Sequence, residues 1–399
     1  MSSKVYLKQG EGRTLANKGA WVFDNEIDHI DGTYTNGDIV EIYAFNQFPL
    51  GQGYINDQSK IRIRLLSRSI QTKIDDQFIK NQVIAAYTYR KSIMDIRNAR
   101  LIFAEADFLP GIIVDKFERV LVVQSLALGI EKYKLLIIDT LKDCLAKDKM
   151  PIMGVYERSD AKVRSLEGLD KVKGFIGEPF DTKIQITENG VKYWVDIKEG
   201  QKTGFFLDQQ FNRLAIHKLC KDKLVLDLFT HTGAFALNAA LSKAKQVIAV
   251  DSSETAIALA KENAVLNKVE DIITFECEDV FEYLPKCIEQ KRQYDVVILD
   301  PPAFAKSKDS IKNAQRAYRE INTQALRLIV DGGYLVTCSC SHFISLEMFT
   351  ECIGKAGKDA HRRLIQVESR TQAYDHPILW SAEQSNYLKF FIFHVVDEK

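Results

Sequence analysis

The spacing of apolar residues changes along the chain, and each change predicts a different kind of unit. Up to about residue 70 the apolar positions come in short runs: Tyr6–Leu7, Trp21–Phe23, Asp38–Tyr43, Leu50–Ile55 and Ile61–Leu66. Gly32, Gly37, Gly51 and Gly53 punctuate them, so residues 1–70 are expected to form a small β-barrel of strands joined by tight turns. From about Gln71 the spacing turns helical through Phe78, Ile79, Val83, Ile84, Tyr87, Ile93 and Ile96. Strand-like Gly111–Asp115 and Val120–Gln124 follow, then helical Leu135–Ile138 and Leu141–Leu145, and the mixture predicts a central α+β domain over 71–195. Over 196–399 apolar strands alternate with helices, the pattern of a doubly wound α/β sheet.

Five strands of that last region end in, or are followed by, groups with chemical use. Leu224–Val225–Leu226 is closed by Asp227, as in a buried parallel strand whose carboxyl end meets a ligand crevice. Thr232–Gly233–Ala234 then permits a tight turn and a close backbone approach before a helix over Phe235–Leu241. Gln246–Val250 ends at Asp251, placed to accept from a ribose hydroxyl, and Ile272–Phe275 is followed by Asp279, placed to meet an adenine amino group. Phe229 and Phe235 beside the turn, and Ser252 and Val280 beside the later carboxylates, are counted in the same crevice. The last two strands end at Asp300–Pro301–Pro302 and at Thr337–Cys338–Ser339–Cys340. That is the order of parts in a methyltransferase.

The cofactor follows from what is missing. Between Asp227 and Phe235 there is one glycine instead of the three of a dinucleotide fingerprint, and no phosphate-binding Lys-Ser/Thr pair comes after it. S-adenosylmethionine carries no phosphate and needs carboxylates for its ribose and amino groups, which this series supplies.

Cys338 and Cys340 fall on one side of their strand near its carboxyl end. A thiolate that adds to C6 of cytosine turns the ring into an enamine whose C5 accepts a methyl group, and loss of the C5 proton then expels the thiol. Simple packing is the competing reading of either cysteine, since the residue type is often buried. Asp300 is suited to the polar edge of a target base, with Pro301 fixing the backbone beyond it and Phe304 beside the ring. The same Asp-Pro-Pro-x-Phe order suits an amino methyltransferase, whose carboxylate accepts from an exocyclic amine while Phe stacks on the base. A third reading is a non-catalytic RNA-binding assembly factor that keeps the cofactor fold.

Charge qualifies the picture of the substrate. Lys plus Arg and Asp plus Glu both number 54, so the formal net charge is zero and phosphate contacts are expected in local patches. Arg62 and Arg64, two apart on a strand and continued by Arg68, form one such patch; Lys312 and Arg316, on a helix expected over Ser310–Ile321, form another with Arg319. Seven cysteines without regular spacing fit reduced thiols, no second ligand pair suggests zinc, and no signal or spanning segment is visible, so the expected location is cytoplasmic with neither metal nor membrane. Both a monomer and a homodimer are compatible with these features.

The motifs carry a resemblance. Asp227–Leu228–Phe229–Thr230–His231–Thr232–Gly233–Ala234–Phe235, Asp300–Pro301–Pro302–Ala303–Phe304 and Cys338–Ser339–Cys340–Ser341 resemble those of class I RNA methyltransferases, and within them the large-subunit ribosomal RNA cytosine-C5 methyltransferase I family. Gly200–Gln210 and Val155–Asp160 agree with that family too, so the likeness spans nearly the whole chain. It implies a Rossmann-like class I catalytic sheet, a PUA-like RNA-binding barrel at the N-terminus, and 23S ribosomal RNA as partner. It implies as well that Lys202, Thr203 and Phe206 cover the cofactor and that the cysteine before Ser341, Cys340, is the nucleophile. Ala303 departs from the family, which usually has Lys there; Lys306 and Lys308 are close by in sequence.

Overall fold

The short N-terminal runs become β1 (Lys4–Leu7), β2 (Trp21–Phe23), β3 (Ile27–Asp31), β4 (Ile39–Tyr43), β5 (Pro49–Ile55) and β6 (Ile61–Ser67), ordered β2-β6-β5-β4-β1-β3 in one sheet. Alternate residues point inward, so Val5, Leu7, Val40, Ile42, Ile55 and Ile63 are buried together as the barrel core. Gly53 marks the closest strand approach: a Cβ there would stand 2.1 Å from the Arg64 carbonyl oxygen, so only glycine fits. This computed structural model describes residues 3–16, 19–382 and 385–398.

A second sheet follows, built from β7 (Asn98–Phe103), β8 (Ile112–Phe117), β9 (Val120–Ser125), β10 (Gly154–Ser159) and β11 (Val172–Phe175) in the order β11-β10-β9-β8-β7. The helices Asp76–Ile93 and Lys134–Lys147 lay Ile79, Val83, Ile137 and Leu141 against Leu101, Val114, Leu121 and Val155. Asp75 starts the first of them by accepting from the Phe78 amide at 3.0 Å, which satisfies one of the four donors a helix start leaves open. Barrel and second sheet belong to one unit, Met1–Ile184, Val195–Leu207 and Tyr374–Ser385.

The other unit comprises Gln185–Trp194, Asp208–Ala373 and Asn386–Lys399. After the two-stranded pair β12 (Lys183–Glu188) and β13 (Val191–Asp196), its sheet takes β14 (Leu224–Leu228), β15 (Gln246–Asp251), β16 (Ile273–Cys277), β17 (Tyr294–Leu299), β18 (Ile329–Ser339), β19 (Arg362–Arg370) and β20 (Lys389–Asp397). The order is β16-β15-β14-β17-β18-β20-β19, with the first five parallel and β20 antiparallel to both neighbours. The chain leaves β14 toward one edge and returns to lie on its other side, so β14 and β17 flank the topological switch point, where ligands bind in doubly wound sheets. Asp227 and Asp300 stand at its two carboxyl ends.

The helix expected over Ser310–Ile321 runs further, Ile311–Arg327, because its buried face continues through Ala325 and Leu326. Among the described residues no helix is long and apolar enough to cross a membrane.

Candidate active site at the carboxyl ends of the parallel strands

Asp227 is completely buried at the end of β14. Its Oδ2 accepts from Thr230 Oγ1 at 2.5 Å and from the Ala236 amide at 2.9 Å, while its buried Oδ1 has no hydrogen-bond partner among the described residues. Burial pushes this carboxyl up to about 7, and the negative charges of Asp300 and Asp251 add to the effect. The turn that follows is strained: Phe229, His231 and Gly233 have φ of 62°, 51° and 80°. Two of them are not glycine, a cost on the order of 1 kcal/mol each, and such strain concentrates at functional sites. At Gly233 a Cβ would sit 3.2 Å from Ala260 Cβ in addition to the left-handed φ, so the small residue is required.

Asp251 closes β15 and spans this turn, with Oδ2 accepting from the His231 amide and Oδ1 from the Ser253 amide, both at 2.9 Å. Asp279 is exposed and caps the helix Val280–Glu289 by accepting from the Phe281 amide at 2.8 Å. Both keep acceptor capacity, since an ionised carboxylate has about four lone-pair sites. Of the remaining crevice residues, Thr232, Phe235 and Val280 are buried, Phe229 is half-buried and Ser252 is exposed. An unpartnered buried oxygen, a turn that admits no Cβ, and a further carboxylate one strand over fit a ligand rich in hydroxyl and ammonium donors.

Across the switch point the groups differ. Asp300 is half-buried and accepts from Gln209 Nε2 at 2.9 Å; Gln209 Oε1 in turn accepts from Asn212 Nδ2 at 2.7 Å, which fixes the amide's direction. Cys338 is completely buried, and burial together with the Asp300 charge pushes its thiol well above the usual range. Cys340, one residue past β18, is only half-buried, its Sγ 3.9 Å from the Pro301 carbonyl oxygen. Ser341 fastens the two strand ends together: its Oγ accepts from the Ala305 amide at 3.1 Å and donates to the Ala305 carbonyl at 3.3 Å. Phe304 packs among Phe229, Phe281 and Tyr318 at ring-centroid distances of 6.3, 5.9 and 4.8 Å. Tyr318, beside it, accepts from Ser339 Oγ at 3.0 Å, and burial pushes its phenol up to about 12.

Two side chains here were not singled out in the sequence. Gln209 lay inside the quoted Gly200–Gln210 stretch without a role, and Lys389 interrupts the apolar run Leu388–Phe393, which was its one visible signal. Lys389 is buried at the start of β20 and donates to the carbonyls of Ser341, Ile344 and Tyr387 at 2.7, 2.8 and 2.9 Å.

The basic residues separate into two kinds. On the helix Ile311–Arg327, Lys312 and Arg316 are exposed and make no ion pair among the described residues, whereas Arg319 is held by both oxygens of Asp359 at 2.6 and 2.8 Å. In the barrel the expected patch is corrected. Arg64 is buried, bound to Glu105 at 3.0 Å and Glu167 at 2.9 Å, so its charge is spent inside the unit. Arg62 is paired with Asp57 at 2.5 Å and with Asp24 at 3.4 Å, and Arg68 donates to the carbonyls of Leu15 and Gly19.

In that same unit the Val155–Asp160 stretch meets the start of the Gly200–Gln210 stretch. Arg158 of β10 donates to the carbonyls of Ile197 and Gly200 at 2.8 and 3.0 Å. Thr203 is buried and donates to Asp115 at 2.5 Å, a carboxylate also clasped by Arg100. Lys202 is exposed, with its ammonium 4.3 Å from the Phe206 ring centroid.

Comparison with known proteins agrees with the fold of both units. Residues 168–374 match the family model of S-adenosylmethionine-dependent methyltransferases, and residues 5–68 match that of PUA-like domains. A solved structure described as a SAM-dependent methyltransferase from Streptococcus mutans has a TM-score of 0.82 over 99% of this chain and 100% of its own, at 21% identity, a likeness of fold. A second methyltransferase structure with the same values is complexed with SAH. The cofactor is S-adenosylmethionine, and the chain joins a PUA-like barrel to a class I methyltransferase sheet. The ribosomal RNA large subunit methyltransferase I of Aliivibrio fischeri is 39% identical over 401 residues, 99% of this chain and all of its own. That of Alteromonas mediterranea is 37% identical over 403 residues, the whole of both chains. At that identity over that length, the protein belongs to the ribosomal RNA large subunit methyltransferase I family.

Proposed function

We propose that the protein methylates C5 of a cytosine in 23S ribosomal RNA, in the cytoplasm, through a covalent bond between Cys340 and the base. The observation that carries this reading is the contrast between two cysteines: Cys338 is completely buried, and Cys340, at the mouth of the strand ends, is not. A nucleophile needs access as well as ionisation.

Bound S-adenosylmethionine supplies a methyl group made electrophilic by its sulfonium. Asp227 and Asp251 orient that cofactor through donors on its amino group and ribose. Cys340 Sγ adds to C6, the electron pair shifts to C5, and C5 would take the methyl group as its bond to the sulfonium sulfur breaks, that sulfur leaving as a neutral thioether. Removal of the C5 proton by a base then returns the pair to the ring and breaks the S–C6 bond, so the thiolate is regenerated. Asp300, aimed by Gln209, accepts from the exocyclic amine and holds the ring in plane. Lys312 and Arg316 take RNA phosphates, and Pro301 lines the base side of the pocket. Phe304, already enclosed by three aromatic rings, weighs against the amino methyltransferase arrangement, which needs its face for the base.

The test is a map of 5-methylcytosine in ribosomal RNA from cells with and without the gene. One large-subunit cytosine is expected to lose its C5 methyl in the deletion and to regain it with the wild-type gene but not with Cys340→Ala. An unchanged 5-methylcytosine map, or a methyl lost from an exocyclic nitrogen instead, would overturn it.

A further inference from the structure

Lys389 is an expensive residue to place where it stands. Its Cα pairs across β18 and β20 with Ser339, the residue before Cys340, and its side chain is 7% exposed. All three ammonium protons go to neutral carbonyls, and two of those carbonyls, on Ser341 and Ile344, belong to the turn that directly follows Cys340. An ammonium has three donors, so nothing is left to pair with a carboxylate, and none lies within ion-pair distance of it among the described residues. A neutral donor would tether the same turn without burying a charge, and a buried charge is costly unless an opposite one is near.

Among the other titratable groups around Cys340, His342 lies in the same turn with its ring centroid 5.2 Å from that of Tyr387. Cys338, on its own strand, stays protonated, and Tyr318, on the helix Ile311–Arg327, keeps its proton. Asp300, past β17, is a carboxyl group that raises the proton affinity of the neighbouring Cys338. Burial lowers the proton affinity of Lys389 and the charge of Cys340 opposes that, the two together leaving it at about 8, so the two groups feel each other. Linkage is reciprocal: an anion that favours the ammonium is itself favoured by it.

We propose that Lys389 is the positioning residue of the covalent step, fixing the turn Ser341–Ile344 beside the nucleophile and supplying the positive charge that holds Cys340 as a thiolate. This rests on the reading of Cys340 as nucleophile. The charge acts twice in that step, when the thiolate is poised for attack on C6 and when it is expelled after the C5 proton leaves.

The experiment uses the full chain in wild-type form and as Lys389→Met, Lys389→Gln and Lys389→Arg, with circular dichroism and S-adenosylmethionine affinity as checks of folding. Alkylation of Cys340 by iodoacetamide is followed against pH, with the modified cysteine located by fragment mass spectrometry. Methyl transfer to an rRNA fragment is followed over the same range. In the folded Met or Gln variant the alkylation midpoint is expected to rise by about 1–3 pH units, as for loss of an opposite charge nearby, and the pH profile of kcat to move with it. Lys389→Arg should restore the wild-type profile. Gln keeps an amide donor for the carbonyls, so it separates charge from tether if Met does not fold. A folded neutral variant with an unchanged Cys340 midpoint overturns the proposal even when Cys340→Ala is inactive. A shifted midpoint together with an active Cys340→Ala instead refutes the nucleophile and, with it, the step that Lys389 is said to serve.

Discussion

The two flanks of the β14–β17 switch point start from the same element, a buried parallel strand ending in a carboxylate, and finish differently. On the β15 side, Asp227 and Asp251 spend much of their capacity on the amides of Ala236, His231 and Ser253, which stiffens a strained turn and leaves acceptors for a ligand. On the β18 side, Asp300 is aimed by an amide side chain, a half-buried thiol stands at the strand end, and a buried ammonium pairs with no carboxylate among the described residues. The difference teaches what each flank is for. A site that only binds closes its charges on its own backbone, whereas a site that reacts keeps a nucleophile and opposing charges in one place.

The most severe way to break this comparison is Cys340→Ala. It is expected to lower methyl transfer by on the order of a thousandfold or more while S-adenosylmethionine affinity stays the same, because the loss falls on chemistry and not on binding. Cys338→Ala should keep most of the activity; equal losses in the two variants would erase the distinction drawn from burial. On the other flank, Asp251→Ala should weaken cofactor binding by about 1–3 kcal/mol, the cost of losing charge-assisted hydrogen bonds. Asp227→Ala should weaken it as well, and calorimetry on both folded variants decides.

Smaller effects sharpen the contrast between the two sets of basic residues. Charge reversal of Lys312 and Arg316 together should cut affinity for an rRNA fragment severalfold and flatten its salt dependence by roughly two phosphate contacts, with cofactor binding untouched. Arg64→Ala should instead lower the denaturation midpoint, since it strands Glu105 and Glu167 inside the protein. A drop in RNA affinity from Arg64→Ala without loss of stability would return that residue to the surface role expected of it.

The gentlest test is of pH. Burial holds the Asp227 carboxyl near 7, above its ordinary value of 3.8, so the folded protein keeps a proton that the unfolded chain has released. Its contribution to stability is therefore full below about pH 4 and is lost as pH rises toward 7. In Asp227→Asn the apoprotein's urea midpoint should fall less steeply across that window than in wild type, and parallel slopes would show that the buried carboxyl is not the titrating group.

The strand ends were legible because a parallel strand buried on both faces reads as an apolar run, and the first polar residue after it has few places to go but the crevice. Asp227, Asp251 and Asp300 were placed at strand ends in that way. Burial, not residue type, separates Cys338 from Cys340, and two cysteines on one face of a strand carry no sign of which is covered. Lys389 was hidden because its role depends on the antiparallel pairing of β20 with β18, a contact 50 residues away that no local pattern announces. Arg64 misled for the same reason. Its partners Glu105 and Glu167 lie 41 and 103 residues downstream, so a charge that looked solvated on its strand is closed from outside it.

The account turns on one covalent bond, and trapping it is the most direct measurement. RNA carrying 5-fluorocytidine at the target position should take the methyl group and then stall, because fluorine cannot leave as the C5 proton does, and a protein–RNA adduct should survive denaturing electrophoresis. Wild type and Cys338→Ala are expected to form the adduct with S-adenosylmethionine present, with the bond mapped to Cys340, and Cys340→Ala is expected to form none. Methylation of the natural RNA without any trapped adduct, or an adduct that persists in Cys340→Ala, would contradict it.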